Sequence, residues 1–241
     1  MKWLYLLINF CTVIVPVLFS FHPKLNFCRN WKAFFIANAI VAFIFILWDL
    51  LFTHIGVWGF NPNYISGIYF FNLPIEEILF FICIPYACVF TYHCLNLFIK
   101  TRWPAKTENI FVYTLAVVLL FTGIYFNDKL YTASTFISLA IVLFILKYFL
   151  KIKWLGKLLT IYPILLIPFF IVNGILTGSG IPQPVVWYNN SENLGIRLFT
   201  IPVEDIFYGF ELILLNIVFY EYLLKSNLIK SKSNNLSLIP F

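Results

Sequence analysis

Charged residues are scarce in this chain, since Asp, Glu, Lys and Arg together make up 11% of its 241 residues. Hydrophobic residues make up 62%, and the mean hydropathy is +0.92. Soluble globular domains carry about 25% charged residues and far fewer apolar ones. The composition therefore excludes a soluble domain and predicts a polytopic membrane protein.

Several common chemical signatures are also missing. The five cysteines show no C-x-x-C pair, so neither a zinc site nor a disulfide framework is expected. There is no Gly-rich dinucleotide loop, no P-loop, no Asp-x-x-x-Asp magnesium box and no evident pair of nucleophile and base. We therefore expect no metal, and the chemistry left to the chain is that of its own acidic side chains.

Apolar runs long enough to cross a bilayer, which takes roughly 20 residues, occur seven times. They cover about residues 3–20, 33–53, 74–98, 109–126, 130–150, 157–176 and 202–224. Because the connections are short, we predict one all-α, seven-helix membrane domain over about residues 1–225. The Ser/Asn/Lys-rich residues 226–241 are predicted to be a disordered cytoplasmic tail.

Basic residues are concentrated on one side of the predicted membrane. Of the 16 Lys and Arg residues, only Lys2, Lys129 and Arg197 fall in segments on the opposite side. The positive-inside rule then places the N-terminus outside and the tail inside. The net charge of +6 is accordingly a signal of topology and of contact with anionic lipids, and nucleic acid is not an expected partner.

An acidic pair that follows a proline occurs twice. Glu76 and Glu77 open the third span, and Glu204 and Asp205 open the seventh. We call the sequence separation between Glu76 and Glu204 the repeat offset. At this offset the 15 positions 67–81 share six identities with 195–209, without gaps. We therefore predict two parallel three-helix repeats, about 1–100 and about 130–225, joined by a linker helix at about 109–126 in a 3+1+3 arrangement.

Each acidic pair alone has a simple structural explanation, because Pro and Glu both favour the first turn of a helix. This explanation does not cover the duplicated doublet, Asp49 near the outer end of span 2, or Glu211 inside span 7. Glu211 follows Glu204 by two helical turns, on the same stripe of the helix. Like charges in a low-dielectric cleft cannot all ionise, so a protonated carboxyl should lie beside an ionised one as a matched acid and base.

An acid and a base inside a bilayer indicate either proton chemistry on a lipid-soluble molecule or proton movement. Protonation of an alkene would give a carbocation, which aromatic rings stabilise. Aromatic residues near the carboxyl groups could line such a pocket, although Trp and Tyr also favour membrane interfaces. The candidates are Trp58, Phe71, Phe80, Phe81, Trp187, Tyr188, Phe199, Phe207 and Tyr208.

Motifs from both repeats together resemble a known family. They are Asp49, Trp58-Gly-Phe-Asn, Gly67, Pro74-Ile-Glu-Glu, Leu176-Thr-Gly, Val186-Trp-Tyr-Asn, Leu194-Gly-Ile-Arg and Ile201-Pro-Val-Glu-Asp-Ile-Phe-Tyr. This set is similar to the integral-membrane lycopene cyclase domain. That family includes two-subunit bacterial carotenoid cyclases, fused single-chain forms and the cyclase half of fungal bifunctional enzymes.

The resemblance implies a lycopene β-cyclase, which converts the linear ψ-ends of lycopene to β-rings without a redox change or a cofactor. Its catalytic carboxyl groups would be Glu76, Glu77, Glu204 and Asp205, and the sequence leaves open which is acid and which is base. The implied partners are lycopene, related carotenoids and membrane lipids, and the implied location is the bacterial cytoplasmic membrane.

Supporting roles follow from the same resemblance. Asp49 and Asn173 would orient the carboxyl groups, Arg197 would keep one of them ionised, and Glu211 would complete the set. Since lycopene is about as long as the roughly 30 Å hydrocarbon core is thick, a membrane-spanning pose would bring only one end to the site. We therefore hypothesise that a two-ended product requires release and reversal.

Two other functions fit parts of the pattern. A proton-coupled transporter of small solutes could also have 3+1+3 parallel repeats, although such carriers usually break their helices near mid-membrane. A carotenoid hydratase would use the same carbocation and let water intercept it.

Overall fold

The computed structural model describes residues 2–100 and 102–236, and side chains as far as Ser226. Seven α-helices form this part of the chain: α1 Leu4–Phe19, α2 Trp31–Ile55, α3 Ile75–Phe98, α4 Ala105–Tyr125, α5 Leu130–Phe144, α6 Leu155–Leu176 and α7 Val203–Leu236. The six from α2 to α7 include segments long and apolar enough to cross a membrane, whereas α1 has 16 residues. The prediction of an all-α, multi-pass membrane protein is confirmed.

The helices match the seven apolar runs closely, except at the C-terminal end. There the apolar span of α7 ends at about Ser226, as expected, but the helix itself continues to Leu236. Residues 226–236 of the tail that we predicted to be disordered are therefore helical. The remaining residues, 237–241, lie outside the described part of the chain.

Six short strands close one end of the bundle, which we call the hairpin end. They are β1 Trp58–Phe60, β2 Tyr69–Phe70, β3 Leu73–Pro74, β4 Val186–Tyr188, β5 Arg197–Leu198 and β6 Ile201–Pro202. β2 and β3 form one antiparallel hairpin, and β5 and β6 form another. Because α2 and α6 end here and α3 and α7 begin here, both acidic pairs lie at this end of the bundle.

Strands β1 and β4 join the two halves of the chain. They pair antiparallel, with Gly59 opposite Trp187 at the centre of the register. Those two residues are separated by the repeat offset, as the two acidic pairs are. The pairing is therefore symmetric about Gly59 and Trp187, as expected where two copies of one segment meet on a pseudo-twofold axis.

The two hairpins have the same backbone shape. Phe71 and Phe199, again separated by the repeat offset, both adopt a left-handed conformation with φ of 54° and 58°. Gly67 and Gly195 precede them with φ of 89° and 71°. Left-handed backbone is costly for a bulky residue, so its recurrence at Phe71 and Phe199 indicates that the whole turn, and not only the acidic pair, has been duplicated.

A buried ion pair connects α4 to the second half of the bundle. Lys147 Nζ lies 2.6 Å from Glu108 Oε1, and the two side chains are 6% and 5% exposed. Glu108 also accepts a hydrogen bond from the Gly156 backbone N–H at 2.9 Å, and Lys147 donates to the Ile152 carbonyl at 3.1 Å. The sequence predicts the fourth span from about residue 109, whereas α4 begins at Ala105, so Glu108 lies inside the helix.

The pair gives a stability prediction. Lys147→Met removes the cation and leaves the Glu108 carboxylate buried without its partner, which should cost about 3–5 kcal/mol. The measurement is thermal unfolding of the purified protein in detergent. Glu108→Gln combined with Lys147→Met removes both charges and should recover most of the loss. An unfolding midpoint for Lys147→Met equal to that of the unmodified protein would contradict this account.

Candidate active site

Glu76 and Glu204, the first members of the two acidic pairs, hold the loops that precede their helices. Both residues are 0% exposed. Glu76 Oε1 accepts a hydrogen bond from the Ser66 backbone N–H at 2.7 Å, and Glu204 Oε1 accepts one from the Leu194 backbone N–H at 2.8 Å. Ser66 and Leu194 are also separated by the repeat offset. Each carboxyl group therefore fixes the hairpin end of its own repeat.

Glu77 and Asp205, the second members, are held by tyrosines from the first helix of each half. Tyr5 donates to Glu77 Oε2 at 2.5 Å, and Tyr131 donates to Asp205 Oδ1 at 2.6 Å. Both tyrosines lie in the first turn of their helices, α1 and α5. The backbone N–H of Tyr5 donates to the Tyr64 carbonyl at 3.2 Å, and that of Tyr131 donates to the Glu192 carbonyl at 2.9 Å. These bonds fix the two helix starts against the loops.

Asp205 has more donors than Glu77. Besides Tyr131, it accepts hydrogen bonds at Oδ2 from Tyr188 at 2.9 Å and from Asn173 at 3.3 Å. Burial, followed by the nearby Asp205 carboxyl, raises the pKa of Tyr188 well above its ordinary value. Tyr188 therefore keeps its proton and remains a donor. Three donors stabilise the ionised form of Asp205 more than the single tyrosine stabilises that of Glu77.

A third carboxyl group lies nearby on α2. Asp49 Oδ1 accepts a hydrogen bond from the Trp58 indole N–H and a longer one, 3.5 Å, from Thr53. Its second oxygen is buried and has no hydrogen-bond partner among the described residues. Asn173 lies near the end of α6 as Asp49 lies near the end of α2, but Asn173 donates to Asp205 instead. At the repeat offset Asp49 corresponds to Thr177, so the second half has no carboxyl group equivalent to Asp49.

These groups meet at one end of a cavity of about 470 Å³. Asp49, Glu77 and Asp205 line it, whereas Glu76 and Glu204 do not. The rest of the lining is mostly apolar and comes from α1, α3, α6 and α7, with further residues from β1, β4 and α5. The cavity is thus a hydrophobic space with three carboxyl groups at its polar end. No group of three or more His, Cys, Asp or Glu residues in 2–100 and 102–226 is placed to hold a metal ion.

Aromatic rings surround the polar end. Trp58 lies 5.1 Å from Tyr131 and 6.1 Å from Tyr208, measured between ring centroids. Tyr131 and Tyr188 are stacked, with centroids 5.9 Å apart. The Tyr208 hydroxyl is buried and has no partner within the described part of the chain. Ring faces at this spacing could stabilise a positive charge that develops between the carboxyl groups.

The structure separates the aromatic candidates into two groups. Trp58, Phe80, Tyr188 and Tyr208 line the cavity, and the other five candidates do not. Phe71 and Phe199 project from the hairpin tips and are 81% and 87% exposed.

The three remaining candidates lie against other surfaces. Trp187 is 43% exposed on β4. Phe81 packs in a cluster with Phe45, and Phe207 packs edge-on against Phe136. Adjacent residues on a helix point in directions about 100° apart, and for this reason Phe80 faces the cavity and Phe81 does not.

Two supporting residues lie outside the polar end. Arg197 donates to the Thr200 carbonyl at 2.7 Å and to Asn190 at 2.8 Å, and it forms no salt bridge with a described carboxyl group. The expectation that Arg197 keeps one of the carboxyl groups ionised therefore stays a prediction, and it does not depend on a direct salt bridge. Glu211 accepts a hydrogen bond from Ser138 on α5 at 2.8 Å and does not line the cavity.

Sequence reasoning missed Tyr5 and Tyr131, although a signal for them exists. The dipeptides Leu4-Tyr5 and Leu130-Tyr131 open spans 1 and 5, and their separation is close to the repeat offset. The repeated positions 67–81 and 195–209 do not include the first span of either repeat, where both tyrosines lie.

One family model, described as lycopene cyclase, matches the chain twice, over residues 2–95 and over residues 128–223. Together the two matches cover well over half of the sequence, and each contains one of the two acidic pairs. The chain belongs to the lycopene cyclase family. Membership supports a carotenoid cyclase role, which a membrane setting and an apolar cavity suit. Searches of curated proteins and of solved structures found no match.

The different surroundings of the paired carboxyl groups predict different effects on stability. Glu76→Ala removes the acceptor of the Ser66 N–H and should cost about 1–3 kcal/mol, because a donor is left without its partner. Glu76→Gln keeps an oxygen that can accept the same bond and should unfold close to the unmodified protein. The readout is the thermal unfolding midpoint in detergent, with Glu204→Ala and Glu204→Gln as the equivalent pair. Equal unfolding midpoints for the Ala and Gln variants would show that Glu76 and Glu204 do not hold the loops.

Proposed function

We propose that this chain is a lycopene β-cyclase that closes the ψ-ends of lycopene to β-rings by acid–base chemistry alone. One observation carries the proposal: three carboxyl groups, Asp49, Glu77 and Asp205, lie together at the polar end of a mostly apolar cavity. An acyclic carotenoid has the matching chemistry, since it is apolar throughout and its end group reacts with a proton.

The reaction balances within the site. A carboxylic acid gives a proton to C2 of the ψ-end, which leaves a cation at C1. The C5=C6 double bond attacks C1, forming the ring bond and moving the cation to C5. A carboxylate then removes the proton at C6, and the C5=C6 double bond forms again. One proton enters and one leaves, so the reaction needs no oxidant or reductant.

The hydrogen bonds support a division of roles. Asp205 accepts bonds from Tyr131, Tyr188 and Asn173, which favours its ionised form and suits it to be the base. Glu77 has the single donor Tyr5, and Asp49 has an oxygen without a partner among the described residues. Repulsion among the three groups favours a proton on one of them. We assign the acid to Glu77, with Asp49 positioning it.

The aromatic rings at the polar end exclude water and stabilise the carbocation. Trp58, Tyr131, Tyr188 and Tyr208 would replace solvent around the C1 and C5 cations. Excluding water also prevents hydration of the cation, which is the step that would turn a cyclase into a hydratase. Glu76 and Glu204 then act through the loops, as positioning residues.

For the arrangement in the membrane, we infer two parallel three-helix repeats with α4 as the linker and the N-terminus outside. The basic loops after α1, α3, α5 and α7 lie away from the hairpin end, so the positive-inside rule puts that end, and the carboxyl groups, at the outer surface. The burial of Lys147 removes a single charge from this bias and leaves its direction unchanged. We infer the bacterial cytoplasmic membrane as the location.

The transporter alternative has less support. Carriers of this kind form their central site from helices that are interrupted near mid-membrane. Here α3 contains Pro85, but α7 has no proline at the equivalent depth, and the polar groups of the cavity are concentrated at one end. A hydratase would use the same site, and its hydroxylated product would distinguish it from a cyclase.

The test is expression of the chain in cells that accumulate lycopene, with analysis of the pigments. The expected products are γ-carotene and β-carotene, recognised by their blue-shifted absorption and unchanged elemental composition. Hydroxylated products would indicate the hydratase. Unchanged lycopene in the presence of folded, membrane-inserted protein would overturn the cyclase proposal.

Substitutions test the assignment of the carboxyl groups. Glu77→Gln and Asp205→Asn should each lower turnover by about a hundred- to ten-thousand-fold, the usual contribution of a general acid or base. Glu211→Gln is the matched control, because it changes a buried carboxyl group on the same helix as Asp205 but outside the cavity. Turnover is measured per mole of membrane-inserted protein. Equal losses in the control and in the two site variants would withdraw the assignment.

A further inference from the structure

The cavity extends well beyond the carboxyl groups, as a groove that we call the open groove. Along α3 its lining runs from Glu77 to Thr91, which at the rise of an α-helix is roughly 21 Å. Below the polar end, α3 contributes small side chains to it, among them Ala87 and Cys88. The groove meets the surface between α1 and α6, where Cys11 and Ile171 are exposed.

The corresponding place in the other half of the molecule is filled. There α2 packs directly against α7: Asn38 donates to Asn216 at 3.1 Å, and the rings of Phe45 and Tyr208 lie 5.1 Å apart. Leu215 and Phe219 of α7 pack into the same cluster as Phe45. Side chains therefore fill the interface between α2 and α7 at the place that corresponds to the open groove.

The difference follows from the residues that occupy equivalent positions. At the repeat offset, Leu215, Asn216 and Phe219 of α7 correspond to Ala87, Cys88 and Thr91 of α3. Two of the three are much larger in α7. The opposing helices differ as well, since α6 has Pro163 and Pro168 within it and α2 has no proline. A proline inside a helix removes one backbone hydrogen bond and favours a bend of the axis, which would leave space beside α6.

We propose that the open groove is the channel for one extended polyene, threaded end-first from the lipid, and that Ala87, Cys88 and Thr91 determine its length. This inference rests on the proposed cyclase function and specifies how the substrate is held. A groove about 21 Å deep, apolar along its length and acidic at its inner end, fits a long, thin, apolar molecule whose reactive group is at its tip. It fits neither a compact solute nor a polar one.

The presence of one open groove has a consequence for the product. Lycopene, about 30 Å long, would have one end at the carboxyl groups and the other beyond Thr91, outside the groove. Since the second groove is filled, each binding event brings one end to the acid and the base. A molecule with two rings then needs two binding events, with reversal between them.

The test fills the open groove with side chains that the other half already uses. In the double variant Ala87→Leu with Thr91→Phe, the larger side chains should block the far end of the groove. Conversion of lycopene should then fall on the order of tenfold or more, because the polyene no longer fits along the full groove. A chain-shortened acyclic apocarotenal that carries one ψ-end, and reaches less than the roughly 15 Å from Glu77 to Ala87, should still be cyclised at nearly the unmodified rate.

Controls separate this inference from the proposed function. Ile82→Phe adds bulk to the same helix at an exposed position that does not line the groove, and it should convert both substrates normally. Thr91→Phe alone is the milder variant should the double variant not insert. If the unmodified protein cyclises neither substrate, the cyclase function itself fails. If the folded groove variants convert lycopene as fast as the unmodified protein does, or lose both substrates equally, the threading proposal is overturned.

Discussion

A backbone N–H buried at the edge of a membrane must find an acceptor in the protein, and here the acceptors are Glu76 and Glu204. Each fixes one loop over the start of its helix, at 2.7 and 2.8 Å. The positions of Tyr5 and Tyr131 depend on the same two loops. The loops accept the backbone N–H groups of Tyr5 and Tyr131, and these tyrosines in turn hold Glu77 and Asp205. In each acidic pair, the first residue therefore holds the loop and the second lines the cavity.

Much of the fold could be predicted from the sequence, because the bilayer imposes a simple rule on length and polarity. The apolar runs located all seven helices, and the repeated Pro-x-Glu motif placed both acidic pairs at one end. The same reasoning could not decide which member of a pair faces the cavity. In a helix that is apolar on every side, no stripe of polar residues marks the inner face, so Glu76 and Glu77 look alike.

Two other features depend on tertiary packing and could not be predicted from the sequence. Arg197 follows Gly195 closely and is the nearest cation to Asp205 in sequence, yet the hairpin directs it to Thr200 and Asn190. Glu108 and Lys147 are far apart in sequence, and each was at the edge of an apolar run, where a charge is expected to meet water. Their pairing depends on how α4 lies against α5, which hydropathy does not encode.

The β1–β4 pairing sets the order of events while the protein is being made. Trp58 donates to Asp49, but its strand partner, Tyr188, belongs to the second half of the chain and is synthesised much later. While a ribosome is still producing α4, the first half has its carboxyl groups in the membrane without β4 to cover them or Tyr131 to enclose them. The cavity around the carboxyl groups can therefore form only after α6 and α7 have been made and β4 has paired, since all three line it. A nascent chain that stops before that point has the first acidic pair but no enclosed cavity.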